Sequence, residues 1–121
     1  MNTLPKSERI KGKAPVSALL SKGRWGVVGG MKYCYLVRGG DDPVSPNRVL
    51  VSVPKRFFKR AVKRNLLKRR MREAYRIHKD MLPQFGMDLM LVYNNTELMD
   101  SAVVANDVAG VLKRISDERQ L

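Results

Sequence analysis

The residues of this sequence that could do chemistry are concentrated in one basic segment, residues 55–76. It holds eleven Lys and Arg against a single acid, Glu73, and so carries +10 of the chain's net charge of +13. Seven of the eleven are Arg, whose planar guanidinium groups can hold two phosphate oxygens at once, where Lys offers only a point charge. Charges at this density repel one another unless a polyanion neutralises them. The segment therefore predicts a nucleic-acid partner, and RNA is favoured over DNA because no helix-turn-helix and no dimerisation zipper accompany it.

A long helix is predicted to carry this basic segment. Between about Phe58 and Met81 there is neither Gly nor Pro, and strong helix formers dominate. With about 100° of turn per residue, four positions fall on one side of the helix and predict a stripe that faces the core. That stripe consists of Leu67, Met71, Ala74 and His78.

Beside the stripe lies an arc of the helix that contains no acid. Helices that merely face water usually mix acids and bases, because opposite charges four residues apart stabilise a helix and like charges destabilise it. Here like charges are neighbours, which costs stability in the free protein and favours binding of a polyanion. We therefore interpret this basic arc as a binding surface and not as an ordinary solvent-facing side. The basic arc consists of Asn65, Lys68, Arg69, Arg72 and Arg76, with Arg64 at its boundary.

The segments around this helix predict a small α+β sandwich with the order α-β-β-β-α-β-α. A short first helix ends near Gly23, and the Gly29-Gly30 pair predicts a hairpin turn between the first two strands. Residues 1–14 are polar and basic and predict an extended arm, which leaves 15–121 as a single domain. The predicted strands are 25–28, 31–38, 48–53 and 88–93, and an amphipathic helix covers about the last 20 residues.

Composition excludes several classes of protein. The 121 residues, 44% of them hydrophobic, suffice for one packed domain. One Cys and one His cannot form a Cys/His zinc cage, and a single Cys34 cannot form an internal disulfide, which predicts a cytoplasmic protein. No apolar run approaches the ~18 residues of a transmembrane helix, and Met1 to Lys13 lacks the apolar stretch of a secretory signal.

The sequence holds no set of residues with which a protein could cleave RNA unaided. A protein nuclease needs carboxylates clustered around a metal ion, or a His base near a cleft. Asp41 and Asp42 are adjacent in a predicted loop, where they favour a turn, and His78 lies on the apolar stripe. Cys34 lies between two Tyr in a predicted strand, which indicates a packed thiol. We therefore predict no catalytic residue and no metal site in the protein itself.

The basic helix also carries a specific motif. The run from Ala61 to Glu73 matches the pattern Ala-Val-x-Arg-Asn-x-x-Lys-Arg-x-x-Arg-Glu at every motif position. This pattern resembles the signature helix of the bacterial ribonuclease P protein component. The preceding strand Val49–Val53 and the following Gly86-Met-Asp-Leu are also similar to that family, and the resemblance covers roughly residues 6–116.

The resemblance implies a fold, a partner and a reaction. Helices would pack on a four-stranded sheet with a left-handed βαβ crossover, the opposite of what general rules predict. The protein would be the subunit of an endoribonuclease that removes the 5′ leader from precursor tRNA. A large catalytic RNA would perform the hydrolysis, with Mg²⁺ held mainly by that RNA and the substrate. The protein would bind the leader and stabilise the active RNA.

The resemblance also implies site residues. Arg64, Asn65, Lys68, Arg69 and Arg72 would face the catalytic RNA near its active centre. With the neighbouring cations, the expected RNA-binding set is Lys55, Arg56, Arg60, Arg64, Asn65, Lys68, Arg69, Arg72 and Arg76.

A second implied site is a cleft between the first helix and the sheet, which would grip the single-stranded leader. Two Phe of the first helix are typical of the family there, and Val16 and Leu20 occupy the matching positions in this chain. Tyr33 and Tyr35 alternate about Cys34 and therefore point to one face of their strand. Two interpretations stay open for this pair, because the rings could line the cleft or pack in the core.

One other class of function fits the composition. Small basic α+β domains are common among ribosomal proteins and other proteins that bind structured RNA without an enzymatic role. Charge alone does not separate the two classes. The motif of the basic helix favours the ribonuclease P protein component.

Overall fold

Three helices cover the two faces of one four-stranded sheet in the computed structural model, which describes residues 4–38, 46–83 and 86–119. Two short 3-10 turns, Lys6–Glu8 and Lys79–Met81, complete the described elements. The helices are α1 (Lys13–Lys22), α2 (Ala61–His78) and α3 (Ser101–Arg119). The strands are β1 (Arg24–Val28), β2 (Met31–Val37), β3 (Arg48–Ser52) and β4 (Met87–Tyr93).

The sheet has the strand order β1-β2-β4-β3. β1, β2 and β4 are antiparallel to their neighbours, whereas β3 and β4 are parallel and are connected through α2. β4 lies in the interior of the sheet and is buried at every position except Val92, as its apolar sequence predicts. The predicted α+β class, the order of the elements and the four-stranded sheet are confirmed. The left-handed sense of the crossover stays an expectation from the family resemblance.

Alternating residues divide the sheet into two faces with separate cores. The main core lies between the sheet and the pair α2 and α3, and β4 contributes Leu89 and Leu91 to it. The second core lies under α1, where Leu19 packs with Cys34 and Met90. Because side chains alternate along a strand, neighbouring residues of β2 belong to different cores.

This alternation decides the place of Tyr33 and Tyr35. Both rings are buried in the main core, stacked with their centroids 6.3 Å apart, on the face opposite to α1. The Tyr33 ring covers Gly26, where any Cβ would overlap it, and the Tyr35 hydroxyl donates a hydrogen bond of 2.6 Å to Glu118 of α3. The pair therefore does not line a cleft between α1 and the sheet, and its interpretation as core aromatics is the one that the structure supports.

The N-terminal segment, for which an extended basic arm over residues 1–14 is predicted, packs against the domain from Leu4 onward. Leu4 is buried in the main core and Ile10 in the second core. The Ile10 amide donates a hydrogen bond of 3.1 Å to the carbonyl of Val49. Glu8 forms an ion pair with Lys79, with 2.9 Å between Oε1 and Nζ. The boundary predicted at residue 14 also falls inside α1. Two buried apolar side chains, one backbone hydrogen bond and one ion pair hold this basic segment on the fold.

Helix α2 is shorter than predicted at both ends. Arg60 is extended, with φ −81° and ψ 127°, so the helix begins at Ala61, and it ends at His78 before the 3-10 turn. Leu67, Met71 and Ala74 are buried as the stripe predicts, but His78 at the last helical position is only half-buried. Tyr75 is fully buried in the main core. None of the helices in the described ranges is both long and apolar enough to cross a membrane.

Candidate nucleic-acid interface

The basic arc forms a continuous surface on α2, on the side turned away from the core. Asn65, Arg69 and Arg72 are exposed, while Lys68 and Arg76 are half-buried. Three more predicted residues extend this surface beyond the start of the helix, because the turn that precedes α2 exposes them. They are Lys55, Arg56 and Arg60.

The N-terminal end of α2 has an unusual charge distribution. No acidic residue lies in its first turn, and Arg60 at the N-cap offers no side-chain hydrogen bond to the free amide groups. A helix N-terminus carries a partial positive charge that Asp, Glu or phosphate usually offsets. Lys63 and Arg64 lie in the first turn instead. This end of the helix is therefore poorly stabilised by the protein and well suited to an anion.

Arg64 has a structural role in addition to its predicted one. Its Nη1 donates to the carbonyls of Phe58 and Lys59 at 2.8 and 2.7 Å, and so holds the turn against the helix. A change of Arg64 would disturb this turn as well as the surface charge. The exposed cations of the basic arc are the cleaner positions at which to test binding.

Two other arginines of α2 are also engaged within the protein. Arg76 forms a two-point ion pair with Glu73, Nε to Oε2 at 3.0 Å, and this hydrogen bond lowers the pKa of the Glu73 carboxyl. The only acid of the basic segment is thereby neutralised. Arg70 donates to the carbonyl of Met99 at 2.7 Å and ties α2 to the loop before α3.

The turn before α2 presents one arginine in a fixed position. The amide of Phe57 donates to the carbonyl of Pro54 at 3.2 Å, which closes the turn. The guanidinium of Arg56 lies 4.7 Å from the centroid of the Phe57 ring. Such cation–π contact orders a long side chain that would otherwise sample many rotamers. Arg56 is thus partly preorganised for an anionic partner.

A second surface lies on the opposite face of the sheet, beside α1. Helix α1 lies close to β2 there, because the Cys34 thiol donates a hydrogen bond of 3.2 Å to the Leu19 carbonyl. Gly23 is needed beside this contact, since a Cβ at that position would overlap both Cys34 Sγ and the Leu19 carbonyl oxygen. Burial raises the pKa of Cys34 to about 11, so the group is a packed thiol. Of the two predicted α1 residues, Val16 is half-buried, and Leu20 is 52% exposed.

Trp25 is the aromatic residue on this surface, and it was not among the predicted site residues. Trp25 of β1 is 42% exposed, and the Nζ of Lys32 lies 4.9 Å from the centroid of its ring. Trp25 pairs with Cys34 across the hairpin and therefore lies on the α1 face. The signal was available, because a two-residue turn at Gly29-Gly30 fixes this register and sets the partner of Trp25.

On this α1 face of the sheet, the buried carboxylate of Asp88 is bound by two arginines. Arg48 binds Asp88 through two hydrogen bonds of 2.8 Å, and Arg38 binds the same carboxylate. The hydrogen bond to Asp88 raises the pKa of Arg48. Among the described residues, no three His, Cys, Asp or Glu side chains are grouped so that they could hold a metal ion. Asp41 and Asp42 lie outside the described residues.

These features define a class of protein. A small α+β domain with an acid-free basic arc on one face, and an exposed Trp25 beside Lys32 on the other, has the electrostatic footprint of a nucleic-acid-binding module. The family model for ribonuclease P matches residues 4–116. The chain belongs to the ribonuclease P protein family.

Relatives and solved structures agree with this family. The chain is 43% identical over 88 residues to the ribonuclease P protein component of Chlorobaculum tepidum, covering 67% of this chain and 54% of that relative. It is 40% identical over 79 residues to the component of Porphyromonas gingivalis strain W83, covering 65% of this chain and 57% of that relative. The matched part thus spans little more than half the length of these curated relatives.

Two solved structures of RNase P proteins have the same fold. The RNase P protein of Staphylococcus aureus superposes with a TM-score of 0.74 at 24% identity, over 91% of this chain and 96% of that chain. The RNase P protein of Thermotoga maritima superposes with a TM-score of 0.74 at 23% identity, over 88% of this chain and 96% of that chain. The arrangement of three helices on a four-stranded sheet is therefore the fold of RNase P proteins.

Proposed function

We propose that this chain is the RNA-binding protein subunit of a cytoplasmic ribonuclease P, which helps a catalytic RNA to remove the 5′ leader from precursor tRNA. The observation that carries the proposal is the acid-free basic arc of α2, on a helix that bears the complete family motif from Ala61 to Glu73. Membership of the family supplies the reaction. The surface supplies a physical reason for an RNA partner.

The basic arc and the turn before α2 would bind the catalytic RNA. Exposed Arg60, Arg69 and Arg72 gain binding energy when they displace counterions from phosphates. An RNA phosphate near the start of α2 would also offset the positive end of the helix, which has no acid in its first turn. Asn65 can donate to and accept from a base edge or a ribose hydroxyl. Binding would thus remove the like-charge repulsion present in the free protein.

The α1 face of the sheet would bind the leader. Single-stranded RNA is held by stacking its bases on aromatic rings and by cations along its backbone. Trp25 with Lys32 offers one such ring and one such cation, and Leu20 adds an apolar wall on α1. In this proposal Trp25 supplies the stacking that Val16 and Leu20 cannot, while Tyr33 and Tyr35 only support the sheet from its other side.

The protein itself would not carry out the hydrolysis. The carboxylate of each surface is already paired with arginine, Glu73 with Arg76 and Asp88 with Arg38 and Arg48, so the remaining cations suit phosphate oxygens. The catalytic Mg²⁺ would be held by oxygens of the RNA subunit and of the substrate. The residues of this chain would bind the two RNAs and orient the leader.

Reconstitution tests the proposal. The full chain is mixed with a bacterial ribonuclease P RNA at low Mg²⁺, and cleavage of a precursor tRNA is measured. We expect the protein to stimulate cleavage, because it would neutralise phosphates that otherwise need high concentrations of Mg²⁺. An absence of stimulation, together with co-sedimentation of the chain with ribosomes, would favour a ribosomal role instead.

A matched pair of variants tests which surface is responsible. Arg60→Ala with Lys68→Ala removes the cation at the N-cap of α2 and one cation of the basic arc, and Lys6→Ala with Lys113→Ala removes two exposed cations elsewhere. We expect the first pair to weaken binding of the catalytic RNA by on the order of tenfold and to lower the salt slope by about 2. The second pair should behave like the wild type. Equal losses in both pairs would contradict a dedicated α2 surface.

A further inference from the structure

A cavity of about 720 Å³ lies where α2, α3 and the N-terminal segment meet, beside the basic arc. This volume is in the range of ligand pockets, roughly 300–1,000 Å³. Part of its lining is apolar, and it includes Ile77, whose side chain is 57% exposed. Because burial of an exposed apolar side chain is favourable, Ile77 favours a ligand that places an apolar surface against it. The apolar part of the lining is Leu4, Leu66, Ala74, Ile77 and Ala105.

The rest of the lining is strongly cationic. Five arginines border the cavity together with a single acid, Glu73, which is already paired with Arg76. Within the described residues, the Nε of Arg9 is buried without a hydrogen-bond partner. A buried donor without an acceptor is costly, and because this atom is shielded from a ligand as it is from water, Arg9 contributes its charge to the border of the cavity. The arginines of the lining are Arg9, Arg69, Arg70, Arg72 and Arg76.

An apolar floor with an arginine border suits one chemical class of ligand. A planar base can lie against the apolar side chains and under a guanidinium, while its phosphate is bound by arginines at the border. Arg69 and Arg72 belong both to this border and to the basic arc. An RNA strand bound along the arc therefore passes the mouth of the cavity.

We propose that the α2–α3 cavity holds an unpaired nucleotide of the same RNA that binds the basic arc. The base lies against Ile77 and Ala105, and the phosphate lies among Arg69, Arg72 and Arg9. The presence of an RNA partner rests on the function proposed above, but the nucleotide site itself rests on the lining of the cavity. The site makes RNA binding depend on an unstacked base as well as on charge.

The first experiment uses the wild-type chain and needs no substitution. The sequence contains three isoleucines, and only Ile77 lines the cavity, whereas Ile10 and Ile115 are buried elsewhere. Selective labelling of Ile methyl groups gives one NMR reporter and two internal controls. We expect adenosine 5′-monophosphate to shift the Ile77 signal alone, through the ring current of the base, and inorganic phosphate to leave it in place. An unmoved Ile77, or an equal shift with inorganic phosphate, would overturn the nucleotide site.

The second experiment fills the cavity. Ser101 lines it at the exposed start of α3, whereas Val103, two residues further on, is exposed and lies outside it. Ser101→Trp should weaken binding of the catalytic RNA roughly tenfold, the scale of one stacked base, with an unchanged salt slope. Val103→Trp should bind within twofold of the wild type. Wild-type affinity in Ser101→Trp would contradict the proposal.

The two proposals fail in distinguishable ways. If the wild type stimulates the catalytic RNA and Ser101→Trp does so equally well, the nucleotide site is wrong and the proposed function stands. If the wild type does not stimulate it and adenosine 5′-monophosphate still shifts Ile77 alone, the proposed function is wrong and the nucleotide site stands for another RNA.

Discussion

The two faces of the sheet offer RNA two different kinds of surface. The α2 side presents a dense field of cations with almost no acid, and the apolar residues beneath it face the core. The α1 side presents an exposed Trp25 and Leu20 with a single cation, Lys32, against the ring. Charge acts at long range and tolerates shifts of position, whereas stacking needs contact. The first surface suits docking of a large RNA, and the second suits a grip on single-stranded bases.

The largest expected effect comes from reversing charge on the α2 side. Lys68→Glu with Arg72→Glu should weaken catalytic-RNA binding by on the order of 100-fold or more, because two attractions become repulsions. The free protein should be about as stable as the wild type, since position 68 then faces Arg64 and position 72 faces Arg69 and Arg76 with opposite charge, while positions 68 and 72 remain a like-charge pair. Filter binding across a salt series and thermal denaturation measure the two quantities. A comparable loss from Lys6→Glu with Lys113→Glu would break the distinction between docking surface and general charge.

The next effect concerns how α1 is held on its face. Gly23→Ala places a Cβ against Cys34 Sγ and the Leu19 carbonyl, and overpacking of this kind costs about 1–3 kcal/mol. Denaturant unfolding should show this loss. Gly12→Ala is not a suitable control, because Gly12 has φ +91° and an Ala there would be strained by its backbone conformation. Ala18→Gly, which also perturbs α1, is the control instead. If Gly23→Ala left stability and leader binding intact, α1 would not depend on this close approach.

Trp25 separates the two surfaces most sharply. Trp25→Ala should weaken binding of precursor tRNA by roughly tenfold and leave binding of the catalytic RNA unchanged, because stacking of one base contributes about 1–3 kcal/mol. Trp25→Phe should retain most of the affinity. Trp25 is the only Trp of the chain, so quenching of its fluorescence by a leader oligonucleotide reports contact directly. An equal loss for mature tRNA would show that the ring does not read the leader.

The last expected effect is confined to alkaline pH and is conferred by Cys34. Burial raises its pKa from 9.0 to about 11, so the unfolded chain loses this proton at a lower pH than the folded one. Its contribution to stability is complete below about pH 9 and is lost as the pH rises from 9 to 11. The difference in unfolding free energy between the wild type and Cys34→Ala should shift over this window. A constant difference across the window would mean that the thiol is not buried under α1.

Much of the fold could be predicted, because the local sequence patterns of these elements agree with how the elements are buried in the structure. The Gly29-Gly30 pair predicted the β1–β2 hairpin, and the apolar run of β4 predicted an interior strand. The start of α2 could not be predicted as well, because Lys59 and Arg60 have good helix propensity but lie outside the helix, where the Arg64 guanidinium binds the carbonyls of Phe58 and Lys59. A hydrogen bond from a side chain to carbonyls five and six residues earlier overrides propensity there.

The candidate sites differ in the same way. The basic arc was visible in the sequence, because its residues share one helix and helical spacing alone places them together. Tyr33 and Tyr35 were correctly placed on one face of β2, but which face α1 covers depends on how the whole chain is packed. The α2–α3 cavity was not visible, because its lining comes from three segments far apart in the sequence.

The sequence by itself determined the order of the elements, the acid-free arc and the motif that marks the family. These features depend on residues close together along the chain, whose geometry is set by the backbone periods of helix and strand. Only the tertiary structure decided that Trp25 faces α1 while Tyr33 and Tyr35 do not, that Leu4 and Ile10 bind the arm to the domain, and that arginines from separate segments border one cavity. The physical reason is that burial is a property of the whole packing, in which each face is covered by segments distant in sequence.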